Sequence, residues 1–313
     1  MRFIRSGEGY KRPTNYIKDK IISPIINKPE NNVGTNENAS SHLNNLMGDN
    51  VFSYPKPITL IKYLVNFVCK ENDLVLDFFA GLGTTFESVV SYNLEYNTSI
   101  NSILVQLPEP LEANFINSDS NEKKLIQNGI NFLNSLKKPL VLSELSKERI
   151  RRAGELIKQG NKDKEGIDKL DVGFRAFKLD SSNIHAWDTS IENFEGQLDA
   201  FEANNGDSIK TDRTEEDVLF EILLKYGLEL TLPIEEKTIA NCKVYNIGFG
   251  AMYICLADHI TVEVANGIAE WHKESVDEKP SVIFKDAGFA NDANKTNTVQ
   301  TLRQAGIENV KSI

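Results

Sequence analysis

The run Asp77-Phe78-Phe79-Ala80-Gly81-Leu82-Gly83-Thr84-Thr85 holds the residue types in this chain best placed to act on a bound ligand. An acid closes an apolar segment, glycines stand at alternate positions, and threonines open the next segment. Asp77 can aim a carboxylate at a hydroxyl or an amine. Glycine at 81 and 83 lets the backbone come close to a ligand, because no Cβ stands in the way. A second acid, Glu109, sits in Leu107-Pro108-Glu109-Pro110. An acid at the end of a second strand is where nucleotide-type sites hydrogen-bond ribose hydroxyls; a surface carboxylate in a Pro-rich turn is the alternative. Metal chemistry finds no support. His42, His185, His259 and His272 are scattered, and Cys69, Cys242 and Cys255 are widely spread with no paired spacing. They read as isolated thiols in a reducing cytoplasm.

The elements that must position these residues are set by periodicity. Leu74-Val75-Leu76 reads as a short strand buried in a parallel sheet, and Thr84 to Tyr92 as the start of a helix. Strand, glycine turn and helix together bring a ligand to the N–H groups of a helix start; taken alone, the stretch fits an ordinary βα turn equally well. Upstream, Phe52-Ser53-Tyr54-Pro55-Lys56-Pro57 leads into Ile61, Leu64, Val65 and Val68, which share one helical face. Pro57 stands where a first helical turn begins and where proline is welcome. Ser102 to Leu107 reads as a second strand.

Tyr-Pro-Lys-Pro, one amphipathic helix, and then Asp-Phe-Phe-Ala-Gly-Leu-Gly-Thr-Thr resemble the AdoMet site of β-class DNA amino-methyltransferases. The match points to the adenine-N6 methyltransferase (modification) subunit of type III restriction-modification systems. The resemblance implies an α/β chain: a class I AdoMet-dependent Rossmann-like domain, present in part, followed by a small α/β carboxyl-terminal domain. It implies S-adenosyl-L-methionine as cofactor, held by Lys56, Pro57, Asp77, Phe78, Ala80, Gly81, Gly83, Thr84 and Thr85, with Glu109 on the ribose. It implies double-stranded DNA, a second modification subunit and a restriction subunit as partners.

Two departures matter. An amino-methyltransferase needs an Asp/Asn-Pro-Pro-Tyr/Phe loop to hold the amino group of an extruded adenine, and none of the 10 prolines stands in one. No catalytic residue is therefore assigned. In the family's order that loop precedes the Pro-Lys-Pro segment, so an upstream polypeptide is expected to supply it, and this chain alone is expected to be inactive. Leu82 stands where the family usually has Ser, adding bulk near the cofactor. An inactive remnant, or a non-enzymatic assembly module that binds a partner subunit, is the alternative. A nucleotide-dependent oxidoreductase is disfavoured because the third spaced glycine is missing.

The 313 residues divide, on this reading, into a connector at 1–50 that ends the DNA-recognition region, an AdoMet-binding part at 51–160 and a carboxyl-terminal domain at 161–313. A net charge of −10 argues against a wholly DNA-binding surface, although Arg2, Arg5, Lys11, Arg12, Lys18 and Lys20 make the opening segment locally basic. Asn-rich residues 27–50 read as a loop. A helix is expected to start at Ser146 as N-cap, with Arg149, Arg151, Arg152 and Lys158 exposed. Farther on, the pattern predicts a strand over 173–179, a helix over 218–226, a hairpin around Gly248-Phe249-Gly250, a helix over 260–272, a strand over 281–284 and a helix over 297–306. Residues 188–213 read as a flexible polar excursion. No apolar run is long enough to span a bilayer, and a cytoplasmic protein is expected.

Overall fold

The computed structural model describes residues 33–185, 196, 207–275 and 279–313. The basic opening segment, Trp187 and most of the polar excursion lie outside the described residues. The chain divides into two compact units, residues 1–174 and 175–313. Residues 161–174, expected from sequence to start the second domain, pack on the first unit: Val172 closes on Gly154, and the Phe174 ring meets Phe86 edge-on at 6.5 Å.

In the first unit the expected loop at 27–50 contains a helix, α1 (Asn36–Met47). Asparagine is a poor helix former, but local signals outweigh it. Thr35 and Asn38 form a reciprocal capping box, Gly48 ends the helix in the left-handed conformation, and Ala39, Leu43, Leu46 and Met47 bury one face. Helix α2 (Ile58–Val68) starts at Pro57 and buries Val65 against Val89, Tyr92 and Ile100. Strand β1 (Leu74–Asp77), helix α3 (Thr84–Tyr96) and strand β2 (Asn101–Leu104) form a βαβ unit. The strands pair in parallel, with Asp77 opposite Leu104. Helices α4 (Leu111–Asn117), α5 (Ser120–Ser135) and α6 (Leu142–Gly160) complete the unit.

Both strands alternate in burial, contrary to the expectation of a strand covered on both sides. Leu74 and Leu76 are 57% and 56% exposed, and Ile103 and Val105 both 48%. The register puts these four residues on one face. Phe78, Phe79 and Leu107 extend the apolar exposure beyond the strand ends. The other side, with Val75 and Leu104, packs against helices.

The second unit is a five-stranded sheet in the order β3-β4-β5-β6-β7. Strands β3 (Ile234–Ile239), β4 (Cys242–Ile247) and β5 (Met252–Cys255) are antiparallel; β6 (Ser281–Phe284) and β7 (Asn309–Ser312) continue in parallel. Helix α7 (Glu215–Lys225), opened by a Thr214–Asp217 capping box, covers one face through Val218, Leu219, Ile222 and Leu223. Helices α8 (Val262–His272) and α9 (Asp292–Gln304) cover the other through Val264, Ile268 and Leu302.

The hairpin around Gly248-Phe249-Gly250 is found as expected. The strand expected over 173–179 has no ladder partner among the described residues, and Leu179 is fully exposed. Strands β3 and β7 went unread because both are edge strands whose outer residues are polar. Among the described residues no helix is long and apolar enough to cross a membrane.

Candidate functional site

The glycine turn is built from its carbonyls outward. Gly81 and Gly83 have φ of 54° and 76°, left-handed values that L-residues with a Cβ adopt at a cost. Gly83 has a second reason to lack a side chain, since a Cβ there would lie 2.9 Å from Cδ1 of Ile150 on α6. One face of α6 holds the turn from below. Ser146 Oγ donates to the Gly81 carbonyl, and Arg149 Nη1 donates to the Gly83 carbonyl at 2.7 Å. The expected helix start at Ser146 is corrected: α6 begins at Leu142, and the Ser146 hydroxyl acts inside the helix.

Arg149 is likewise corrected, from an exposed basic residue to one only 3% exposed. Its Nη2 pairs with Glu87 Oε2 at 2.5 Å, and the other Glu87 oxygen meets His42 Nε2 at 2.8 Å. Burial lowers the guanidinium pKa, opposed by the Glu87 charge. In the sequence His42 reads only as one of four scattered histidines, and Glu87 is not singled out. The only signal for Glu87 was a carboxylate near the start of a helix, set between Phe86 and the apolar pair Val89-Val90.

A cavity of about 480 Å³ opens above this network, within the roughly 300–1,000 Å³ of small-molecule sites. Its walls come from α1 (His42, Leu43), the Phe52–Thr59 segment and the glycine turn, with Arg149 among the lining residues. Tyr54 has φ of 54°, uncommon for a non-glycine residue, and is largely exposed. Lys56 Nζ donates to the Tyr54 carbonyl at 3.2 Å.

Of the residues that the sequence assigns to a cofactor, the cavity gathers Lys56, Pro57, Ala80, Gly81 and Thr84. Asp77, Phe78, Gly83, Thr85 and Glu109 are not among its lining residues. The Asp77 carboxylate accepts from Thr85 Oγ1 at 2.6 Å and from the Phe79 N–H at 3.1 Å, bracing the turn. The Gly81 N–H donates to Gln106 Oε1 at 2.8 Å, and Glu109 accepts from Asn114 Nδ2 at 3.4 Å. Phe78 is exposed beyond β1. Leu82 packs in a core cluster with Leu43, Met47, Leu142 and Leu145 and also lines the cavity, where its side chain takes up space beside the glycine turn. Among the described residues no group of three or more His, Cys, Asp or Glu side chains is arranged to hold a metal ion.

Comparison with known proteins shows what the chain is similar to. Residues 10–122 match the N6/N4 DNA methylase family model. The chain is 30% identical over 180 residues to the Mod subunit of the type III restriction-modification enzyme StyLTI of Salmonella typhimurium, covering 58% of this chain and 23% of that protein. It is 28% identical over 264 residues to the EcoPI Mod subunit of Escherichia phage P1, covering 84% of this chain and 36% of that one. It is also 32% identical over 98 residues to the type II methyltransferase M.KpnI of Klebsiella pneumoniae, covering 31% and 24%. The matched stretches thus span only 23–36% of the length of these relatives.

Proposed function

We propose, from the similarity of this chain to type III modification subunits in its DNA methylase region, that it supplies the cofactor-binding part and a carboxyl-terminal α/β unit of an S-adenosyl-L-methionine-dependent DNA adenine-N6 methyltransferase. The observation that carries the proposal is the cavity, which brings the Pro-Lys-Pro segment and the glycine turn to one place. Its size and its mixture of Lys56, hydroxyl and backbone groups fit a ligand that joins an amino acid to a nucleoside.

S-adenosyl-L-methionine, when bound, supplies an electrophilic methyl group. The chain's own residues would bind and orient it. Lys56 would meet the carboxylate, Asp77 the amine, and Gly81, Gly83 and Thr84 would line the methionine end. Pro57 and Ala80 would shape the walls, and Thr85 would hold the Asp77 carboxylate from outside the cavity. Phe78 would act only if it folded in from its exposed position, and Glu109 would take the ribose hydroxyls after releasing Asn114. Methyl transfer to adenine N6 would need a polypeptide carrying the Asp/Asn-Pro-Pro-Tyr/Phe loop, upstream or in trans. The bare apolar face of β1 and β2 supports that reading, because parallel sheets are ordinarily covered on both faces. Double-stranded DNA, a second modification subunit and a restriction subunit would be the partners of the assembled enzyme.

A non-enzymatic assembly module is the second reading. It is favoured by a specific observation: Asp77, the Gly81 N–H and Glu109 are all engaged within the chain. Calorimetry of the purified chain with S-adenosyl-L-methionine decides between them. Saturable binding weakened about ten-fold or more by Lys56→Ala, a loss of about 1.4 kcal/mol, is the expected result. A folded chain that releases no heat of binding would overturn the cofactor reading and leave the assembly module.

A further inference from the structure

The second unit carries a cleft of about 520 Å³ that the methyltransferase reading does not use. It lies at the carboxyl-terminal end of α8, beside edge strand β3, and its lining includes Glu235, Lys237, Asn246, Phe249, Trp271 and Glu274. We propose that this cleft binds a guanidinium group, such as an arginine side chain.

Charge comes first. Glu235 and Glu274 place two carboxylates beside one ammonium, Lys237, while Glu236, also in the lining, is paired with Lys243 at 3.8 Å. The end of α8 adds the negative pole of a helix, which favours cations. Acidic residues alone would be only a solvated edge; Asn246 makes the difference. It is 3% exposed, and although its Nδ2 donates to Glu235 Oε2 at 3.4 Å, its Oδ1 has no hydrogen-bond partner. A buried acceptor left without a partner is destabilising, so a donor is missing. Glu235 lies directly opposite Asn246 in the β3–β4 register. One carboxylate and one amide oxygen are thereby placed side by side, the pattern a planar fork of N–H groups can bridge and a point-charge ammonium cannot.

The aromatic lining favours the same ligand. Trp271 is a wall of the cleft, and Lys237 Nζ already lies 4.3 Å from its ring centroid. That ammonium marks a cation position on the ring; among the described residues its ion-pair partner is Glu274, exposed, at 3.5 Å. Phe249 stands 59% exposed with φ of 60° and ψ of 34°, a left-handed conformation that keeps an aromatic ring at the rim. The turn is tied down, since a Cβ on Gly250 would lie 2.4 Å from Ser275 Cβ, and Ser275 Oγ bonds Tyr253 at 2.6 Å. A guanidinium would stack on these rings while donating to Asn246 and Glu235, sharing or displacing Lys237.

The source could be a protein-borne arginine or a small guanidinium metabolite, and the test separates them. The full chain with Trp187→Phe leaves Trp271 as its only tryptophan, so its emission reports the cleft. N-acetyl-arginine amide, agmatine and N-acetyl-lysine amide are titrated in parallel. Expected are saturable quenching by the arginine amide, at least five-fold weaker binding of the lysine analogue, and tighter binding in Lys237→Ala. Agmatine binding well above the arginine amide would assign the site to a small metabolite rather than a peptide. Asn246→Leu should abolish the response, and Glu235→Gln, at an exposed edge position that does not threaten folding, should weaken it about five-fold. Equal binding of the arginine and lysine analogues, or no effect of Glu235→Gln, would overturn the proposal, as would a flat titration. The cofactor takes no part, so failure here leaves the methyltransferase reading untouched.

Discussion

Burying an ion pair costs several kcal/mol per ion unless the geometry is good and the remaining donors are satisfied. Glu87 and Arg149 meet much of that requirement: Arg149 reaches Glu87 and the Gly83 carbonyl, and Glu87 reaches Arg149 and His42. Arg149→Met should then cost about 3–5 kcal/mol, the usual penalty for stranding a buried charge. Adding Glu87→Gln to that background should recover part of it. Urea denaturation of both single variants and the double variant checks this, and additive losses would mean the pair is not coupled. Glu148 offers a pH test on the outer side of α6. Burial pushes its carboxyl up, but hydrogen bonds from Lys138 at 2.7 Å and Arg152 at 3.0 Å outweigh that and hold it below the ordinary value. A depressed folded pKa stabilises fully above the unfolded value of about 4.3. The contribution is lost as pH falls through the folded pKa. Glu148→Gln should therefore be less stable than the parent near neutrality and converge with it in acid. A stability gap that persists unchanged at low pH would count against the Lys138–Glu148–Arg152 network.

Among the elements, the glycine turn and α6 form one mechanical unit. Ser146 and Arg149 fall on the same helical face and take the carbonyls of both glycines. Gly83→Ala would have to keep a left-handed φ and push Ile150 away; the conformational part alone is about 1–2 kcal/mol. The melting temperature of the first unit should drop by several degrees, and cofactor affinity should fall with it. Gly81→Ala has a softer neighbour, the Phe52 ring at 3.5 Å, so it should cost less stability. A larger stability loss at 81 than at 83 would contradict the tighter packing at Gly83.

At the scale of the whole molecule, the two units predict different chemistry for their thiols. Cys255 is fully buried, and burial pushes its thiol up to about 12. Cys242 is buried beside it and is also shifted up by burial. Cys69, in the first unit, is only partly covered. Iodoacetamide should label Cys69 first and reach the other two only on unfolding; mass spectrometry of the time course reads this directly. The bare β1/β2 face makes a second prediction. Leu76→Lys should leave stability within about 0.5 kcal/mol, as exposed positions usually do. The same change should abolish complementation by the amino-terminal part of a type III modification subunit, if that part covers the face. Unimpaired complementation would mean that such a part docks on another surface.

The sequence by itself determined the local grammar. Asp77, Gly81, Gly83 and the Pro-Lys-Pro segment were legible because turns, caps and glycine conformations depend on neighbours in the chain, and the hairpin at Gly248–Gly250 was legible for the same reason. Tertiary structure alone decided which charges are buried. Arg149 reads like Arg151 and Arg152 in sequence, and only the approach of α6 to α3 separates them. Helix α1 lay hidden because its polar Asn content masked four apolar positions that matter only once a core exists to receive them. Strands β3 and β7 lay hidden because an edge strand needs to bury little. The Asn246 cleft had no signal at all, since an unpaired acceptor is a property of the residues placed around it, and those come from β3, β4, the 248–250 turn and the end of α8.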